Sequence, residues 1–160
     1  MNSMILANSR PMPEPEFMIR PATEKDVDKV IQLDTQLTGM HKPEYWREKF
    51  EAYGRRSDEH FFLVATRGND FLGFIIGEVR AWEFGSPPCG WIFTIAVDPA
   101  QRLEGVGSSL FDAVCDRFRK AKVTKIRTML ARTDQLVMSF FRSQGMMAGP
   151  FTELEMEVDA

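Results

Sequence analysis

The chain has 160 residues, 44% of them hydrophobic, and a formal net charge of −3. That length suits one domain with a substantial core, and the slightly acidic balance argues against a surface built to neutralise nucleic-acid phosphates. Two cysteines, Cys89 and Cys115, are too few for a disulfide framework and fit a reducing cytoplasm. No apolar run approaches a membrane span, and Met4-Ile5-Leu6-Ala7 is too short, with no basic residue before it, to be a signal core.

Residues 1–16 carry Pro11, Pro13 and Pro15 without periodicity and read as a flexible tail ahead of one domain over residues 17–160. Phe17 to Arg20 is a short strand ended by Pro21-Ala22. Thr23 then suits a helix N-cap, with Asp26 three residues on as a variant capping box. Val27, Val30, Ile31 and Leu37 predict an amphipathic helix over 24–37. Pro43 fits the first turn of a second helix reaching Tyr53, with an aromatic face of Tyr45, Trp46, Phe50 and Tyr53. Phe61 to Thr66 and Phe71 to about Trp82 form a hairpin across Arg67-Gly68-Asn69-Asp70. A Pro/Gly loop, 83–90, holds Cys89, for which a structural role is the simpler reading; Cys115 falls in a later helix, as core.

Trp91 to Val97 is an apolar run of strand composition, expected to be buried on both faces and stopped by Asp98-Pro99. Arg102-Leu103-Glu104-Gly105-Val106-Gly107 follows, and then a helical pattern through Leu110, Val114 and Phe118. Strand, glycine turn and helix start together aim backbone N–H groups at one spot, backed by the positive end of a helix dipole, and such a spot binds phosphate. A P-loop requires Gly-Lys-Ser/Thr, but Ser108-Ser109 follow Gly107. A dinucleotide fingerprint requires a third glycine where Leu110 stands. Lys125 to Leu130 is a further strand, Asp134 to Ser143 a helix ended by Gly145, and Phe151 to Val158 alternates as a final strand.

The string R-x-x-G-x-G directly after a strand ending Val97-Asp98-Pro99 resembles the pyrophosphate loop of the GNAT superfamily of acyl-CoA-dependent N-acetyltransferases. Ile19-Arg20-Pro21-Ala22-Thr23 is similar to a GNAT amino terminus, and the element order agrees over almost all of 17–158. The resemblance implies an α+β fold: a mixed, mostly antiparallel sheet with helices on both faces. It implies acetyl-CoA as acyl donor, held by Ile95, Ala96 and Val97, by Arg102, Leu103, Glu104, Gly105, Val106, Gly107 and Ser108, and by Asp134 and Phe141. It implies an amine acceptor, either a small molecule or a protein lysine or α-amine, near the first helix pair. Dimers are common among relatives, so a homodimer is one assembly it implies; nucleic acid, membrane and metal are not expected.

Phe141 stands where the family commonly has the tyrosine that protonates the departing coenzyme A sulfur. A thiol pKa near 8.5 makes thiolate a tolerable leaving group, and the missing acid costs roughly 10²- to 10⁴-fold, part of which Ser139 or water can supply. A lysine-like amine must lose its proton before attack, which at pH 7 costs about 4.6 kcal/mol. Glu78, Glu83 and the carboxylates of the final strand are the candidate bases, Glu83 first because it borders the loop into the central strand. The leading expectation is acetyl transfer to a primary amine by direct attack in a ternary complex. The alternatives are an acyl-CoA-binding sensor or regulatory domain without turnover, motivated by Phe141, and transfer of a longer acyl group.

Overall fold

The computed structural model describes residues 16–158, so the expected tail lies outside the described residues except for Glu16. The chain divides into two compact units, Met1–Thr128 and Met129–Ala160. All the strands found among the described residues lie in the first.

That unit is a five-stranded sheet in the order β1-β2-β3-β4-β5, with β1 Met18–Pro21, β2 His60–Arg67, β3 Asp70–Arg80, β4 Cys89–Val97 and β5 Ile126–Thr128. The first four strands pair antiparallel, and β5 runs parallel to β4. β1 includes Pro21 rather than stopping before it. It is an edge strand, so the missing N–H of proline costs no ladder bond.

Alternation along the central strands gives each face its own core. Phe62, Val64, Phe74 and Ile76 point to one face. They pack under α1 (Val27–Thr38) and α2 (Pro43–Tyr53), meeting Val30, Ile31 and Trp46. Trp46 sets its ring edge-on to Phe74 at 5.2 Å and satisfies its indole N–H on Asp34 Oδ2 at 2.8 Å. The other face receives α3 (Val106–Lys120), whose fully buried Phe118 meets Phe61 at 5.5 Å. Helices therefore cover both faces.

Phe118 fits because two strand positions have no side chain. A Cβ on Gly90 would come within 2.7 Å of the Phe118 ring, and one on Gly77 within 2.8 Å. Gly90→Ala is expected to lower stability by about 1–3 kcal/mol through overpacking. Combining it with Phe118→Leu should recover part of that loss in denaturant unfolding; purely additive losses would refute the contact as the cause.

The expected helix over 24–37 begins as a 3-10 turn, Glu24–Asp26, and continues as α1. Its start is locked by the buried Asp26. The carboxylate accepts from both terminal nitrogens of Arg20, at 2.7 and 2.9 Å, and from the backbone and hydroxyl of Thr23. Desolvation alone would raise the Asp26 pKa, but the Arg20 and Thr23 hydrogen bonds prevail and hold it at about 2. Because folding lowers this pKa, the stabilisation is complete above about pH 4 and fades as the pH falls towards 2. Asp26→Asn should therefore cost about 2 kcal/mol at neutral pH, with wild-type and variant stabilities converging in acid. Parallel curves across that range would contradict this account.

Both cysteines are buried thiols, and burial pushes Cys115 up to about 11. The strand expected over 125–130 is only three residues long, because its pairing with β4 covers only Gly90, Trp91 and Ile92.

In the second unit, α4 (Gln135–Ser143) is capped by Asp134, whose Oδ1 accepts from the Val137 N–H at 3.1 Å. It ends at Gly145 with φ +91°, a left-handed residue that closes the helix as expected. The final strand expected over 151–158 is not formed, and those residues are exposed. Alternation supplies an apolar face but not the partner edge that a strand needs.

Among the described residues no helix is long and apolar enough to cross a membrane, and no cluster of His, Cys, Asp and Glu is grouped to hold a metal.

Candidate active site

The site is built along β4. β3 and β4 change register between Ile76 and Gly77, where Ile76 pairs with Thr94 but Gly77 pairs with Ile92. One extra residue, Phe93, is accommodated there as a β-bulge. On the other side the β5 pairing ends at Ile92–Thr128, while β4 continues to Val97. Residues 93–97 therefore have an edge that β5 does not cover.

The backbone on that edge can be assigned. Asp98 donates its N–H to Leu72 O on β3 at 2.8 Å. By strand alternation Ala96 and Thr94 also face β3, so the N–H groups of Ile95 and Val97 face the uncovered edge. Burial follows the same division. Ile92 is fully buried, but Phe93 to Val97 are only half-buried, where burial on both faces was expected. The shortness of β5 accounts for the difference.

At the end of β4 the chain enters a 3-10 turn, Pro99–Glu104, fixed by Asp98, whose Oδ1 accepts from the Ala100 N–H at 3.0 Å. Gly105 then reverses the chain with φ +77°, and a Cβ there would meet nothing within 4 Å. The glycine is required by conformation, not by crowding. The Gly105 carbonyl accepts the N–H of Ser109 at 3.0 Å, the first bond of α3. The amides of Val106 and Gly107 precede that bond and have no intrahelical acceptor. Val106 is buried, Gly107 and Ser108 are half-buried, and Arg102 is exposed at the last turn before them. The strand end, positive-φ glycine and fifteen-residue helix form the strand–turn–helix from which an anion cradle is expected.

The structure thus brings Ile95, Ala96, Val97, Arg102, Gly105, Val106, Gly107 and Ser108 into one continuous strand–loop–helix; Leu103 and Glu104 lie on its backbone path. Glu83 is exposed in a short 3-10 turn ahead of β4, at the end of that strand away from the cradle. The strand itself, nine residues from Cys89 to Val97, spans roughly 25 Å. In the second unit Asp134 caps α4, Ser139 is exposed, and Phe141 is buried with its ring edge-on to Phe140 at 5.3 Å.

A constellation that periodicity does not reveal lies beside the bulge. Glu78 on β3 pairs across the sheet with Trp91. Its Oε2 accepts from the Tyr53 hydroxyl at 2.8 Å, and its Oε1 from Arg80 Nε at 2.7 Å. Tyr53 stands against Phe93 at 5.1 Å and against the His60 ring at 4.8 Å. Desolvation favours the neutral form of Glu78, but the hydrogen bonds from Arg80 and Tyr53 outweigh it and hold the carboxyl below its usual range. Burial, reinforced by the Glu78 hydrogen bond, pushes Tyr53 up to about 12. The pair therefore presents an ionised carboxylate and a neutral phenol. Glu78 alternates with apolar neighbours on β3 and Tyr53 ends an aromatic stripe; the only sequence signal was a charged residue interrupting a strand otherwise fit for burial.

Residues 27–146 match the model of the acetyltransferase (GNAT) family. No curated protein matches the chain in sequence. Solved structures share its fold. Aminoglycoside N-acetyltransferase AAC(6')-Iy, in complex with CoA, is 17% identical, with a TM-score of 0.77 over 88% of this chain and 94% of that one. Aminoglycoside 6'-N-acetyltransferase AAC(6')-Ih from Acinetobacter baumannii is 16% identical, with a TM-score of 0.75 over 89% of this chain and 99% of that one. A transcriptional regulator from Bacillus halodurans C-125 is 19% identical, with a TM-score of 0.74 over 89% and 99%. Likeness at this level of identity speaks for the fold.

Proposed function

The chain belongs to the acetyltransferase (GNAT) family, and on that premise we propose that it transfers an acetyl group from acetyl-CoA to a primary amine by direct attack in a ternary complex. The observation that carries this reading is the continuity of the cradle at Gly105–Gly107 with the uncovered edge of β4. The pyrophosphate takes the Val106 and Gly107 amides. The pantetheine arm lies along residues 93–97 in the place of a missing strand. The thioester carbonyl accepts from an edge N–H of Ile95 or Val97, which stabilises the oxyanion that forms on attack.

The amine must arrive deprotonated. Glu78 is the group we assign to take its proton, directly or through one water, in preference to the exposed Glu83. Glu78 is half-buried, ionised, and held in place by two donors beside the bulge. The neutral amine then attacks the carbonyl, the tetrahedral intermediate collapses, and the thiolate leaves. Its pKa near 8.5 lets it depart without the tyrosine that Phe141 replaces.

Thiol release from acetyl-CoA with a panel of amines tests this reading. Amine-dependent release above uncatalysed hydrolysis is the expected result. Tight acetyl-CoA binding with no release on a broad panel would leave the second reading, an acyl-CoA sensor, which Phe141 favours. In that case Phe141→Tyr is the variant in which to look for restored turnover.

A further inference from the structure

Lys49 lies in the middle of α2, and its ammonium stands 5.4 Å from the centroids of three rings: Tyr45, Tyr53 and Phe93. The first two are one helical turn before and after it. The third comes from the bulge of β4. Lys49 is half-buried, and among the described residues it forms no salt bridge. Three ring faces stand about its charge, and one of those rings carries the Glu78 carboxylate on its hydroxyl. A set of ring faces about an alkylammonium is a recognition site for that group. In this structure the occupant is the protein's own lysine.

The site lies close to the proposed chemistry. Phe93 precedes Ile95, whose N–H faces the uncovered edge, by two residues, or roughly 7 Å along the strand. A cage of rings favours the charged form of an amine and so opposes the deprotonation that attack requires. It is suited to holding an ammonium that does not react. We infer that the rings of Tyr45, Tyr53 and Phe93 anchor a second ammonium of the acceptor, that the acceptor is therefore a diamine or polyamine, and that Lys49 is a built-in competitor for this subsite. This rests on the acetyl-transfer reading above. A spacer of a few methylenes lets one end sit in the rings while the other, deprotonated end reaches the thioester.

The test compares 1,5-diaminopentane with 5-amino-1-pentanol, which has the same reach and a neutral end. Lys49→Met should lower KM for the diamine about tenfold relative to the amino alcohol. Adding Phe93→Leu, or Tyr45→Leu on the exposed side of the cage, should remove that gain. Arg47→Met, which removes a charge from another side of α2, should leave the ratio unchanged and so exclude a general charge effect. A Lys49→Met variant that alters both acceptors equally, or neither, overturns the inference. Calorimetric titration of Lys49→Met with 1,5-diaminopentane reads the subsite without turnover. Binding that depends on Phe93 and Tyr45 supports the subsite even if no thiol is released, a result that would count against the transfer reading alone. Ring-independent binding, or none, refutes the subsite.

Discussion

Gly107→Glu is expected to lower acetyl-CoA affinity by about 10²-fold or more in a protein that remains folded. Gly107 is half-buried in the first turn of α3, and its amide has no intrahelical acceptor. A glutamate there places bulk and negative charge where a pyrophosphate would lie. Gly105→Val should act differently. A Cβ at Gly105 has open space, but the backbone stands at φ +77°, a conformation that costs a side-chain-bearing residue roughly 1–2 kcal/mol and a β-branched one more. Its loss of affinity should therefore come with a loss of stability. Thermal denaturation with and without acetyl-CoA separates the two, because a ligand that binds only the native state raises Tm. A folded Gly107→Glu protein that acetyl-CoA still stabilises as it does the wild type would remove the cradle from the cofactor site. Arg102→Ala should have the smaller effect, since Arg102 is exposed and the proposed pyrophosphate contacts are made by the amides.

Glu78→Gln should reduce kcat/KM by about 10²- to 10⁴-fold, the range for removing a positioned general base. Glutamine keeps the shape, but its single carbonyl oxygen takes the place of Oε1 towards Arg80, while its amide nitrogen, in the place of Oε2, donates to the Tyr53 hydroxyl oxygen. The loss should fall on kcat, with acetyl-CoA affinity retained. Since its hydrogen bonds hold Glu78 below the usual carboxylate range, the wild-type base stays ionised through mildly acid conditions. The ammonium proton goes to Glu78, so the bound pair holds the same number of protons between the two pKa values, and kcat should stay flat through mildly acid conditions, with no break near a normal carboxylate pKa. Tyr53→Phe removes one donor from the carboxylate and should cost less. A Glu78→Gln enzyme with wild-type kcat would return the role to Glu83 or to water. Glu83→Gln, at an exposed turn, is the natural comparison.

The order of elements as far as α4 and the strand–turn–helix at Gly105 were readable from the sequence because each depends on residues close together in the chain. Pro43 opens a helix, Asp98-Pro99 ends a strand, and Gly105 precedes a helical period; neighbours within a turn or two decide all of these. The Thr23–Asp26 capping of the 3-10 turn that leads into α1 was legible for the same reason. The rest depends on long-range partners. Phe93 is the extra residue of a bulge only because of the register that β3 imposes, and the edge at Ile95 and Val97 is uncovered only because β5 stops at Thr128. Nothing in Trp91–Val97 as a string distinguishes that from a strand buried on both faces. Likewise Glu78 meets Tyr53 across 25 positions of chain, and Lys49 on α2 meets Phe93 on β4, while Glu83, adjacent in sequence to the central strand, remains exposed. The alternating segment 151–158 carried the pattern of a strand and formed none, because periodicity specifies a face while hydrogen bonding requires an edge that only the tertiary structure can supply.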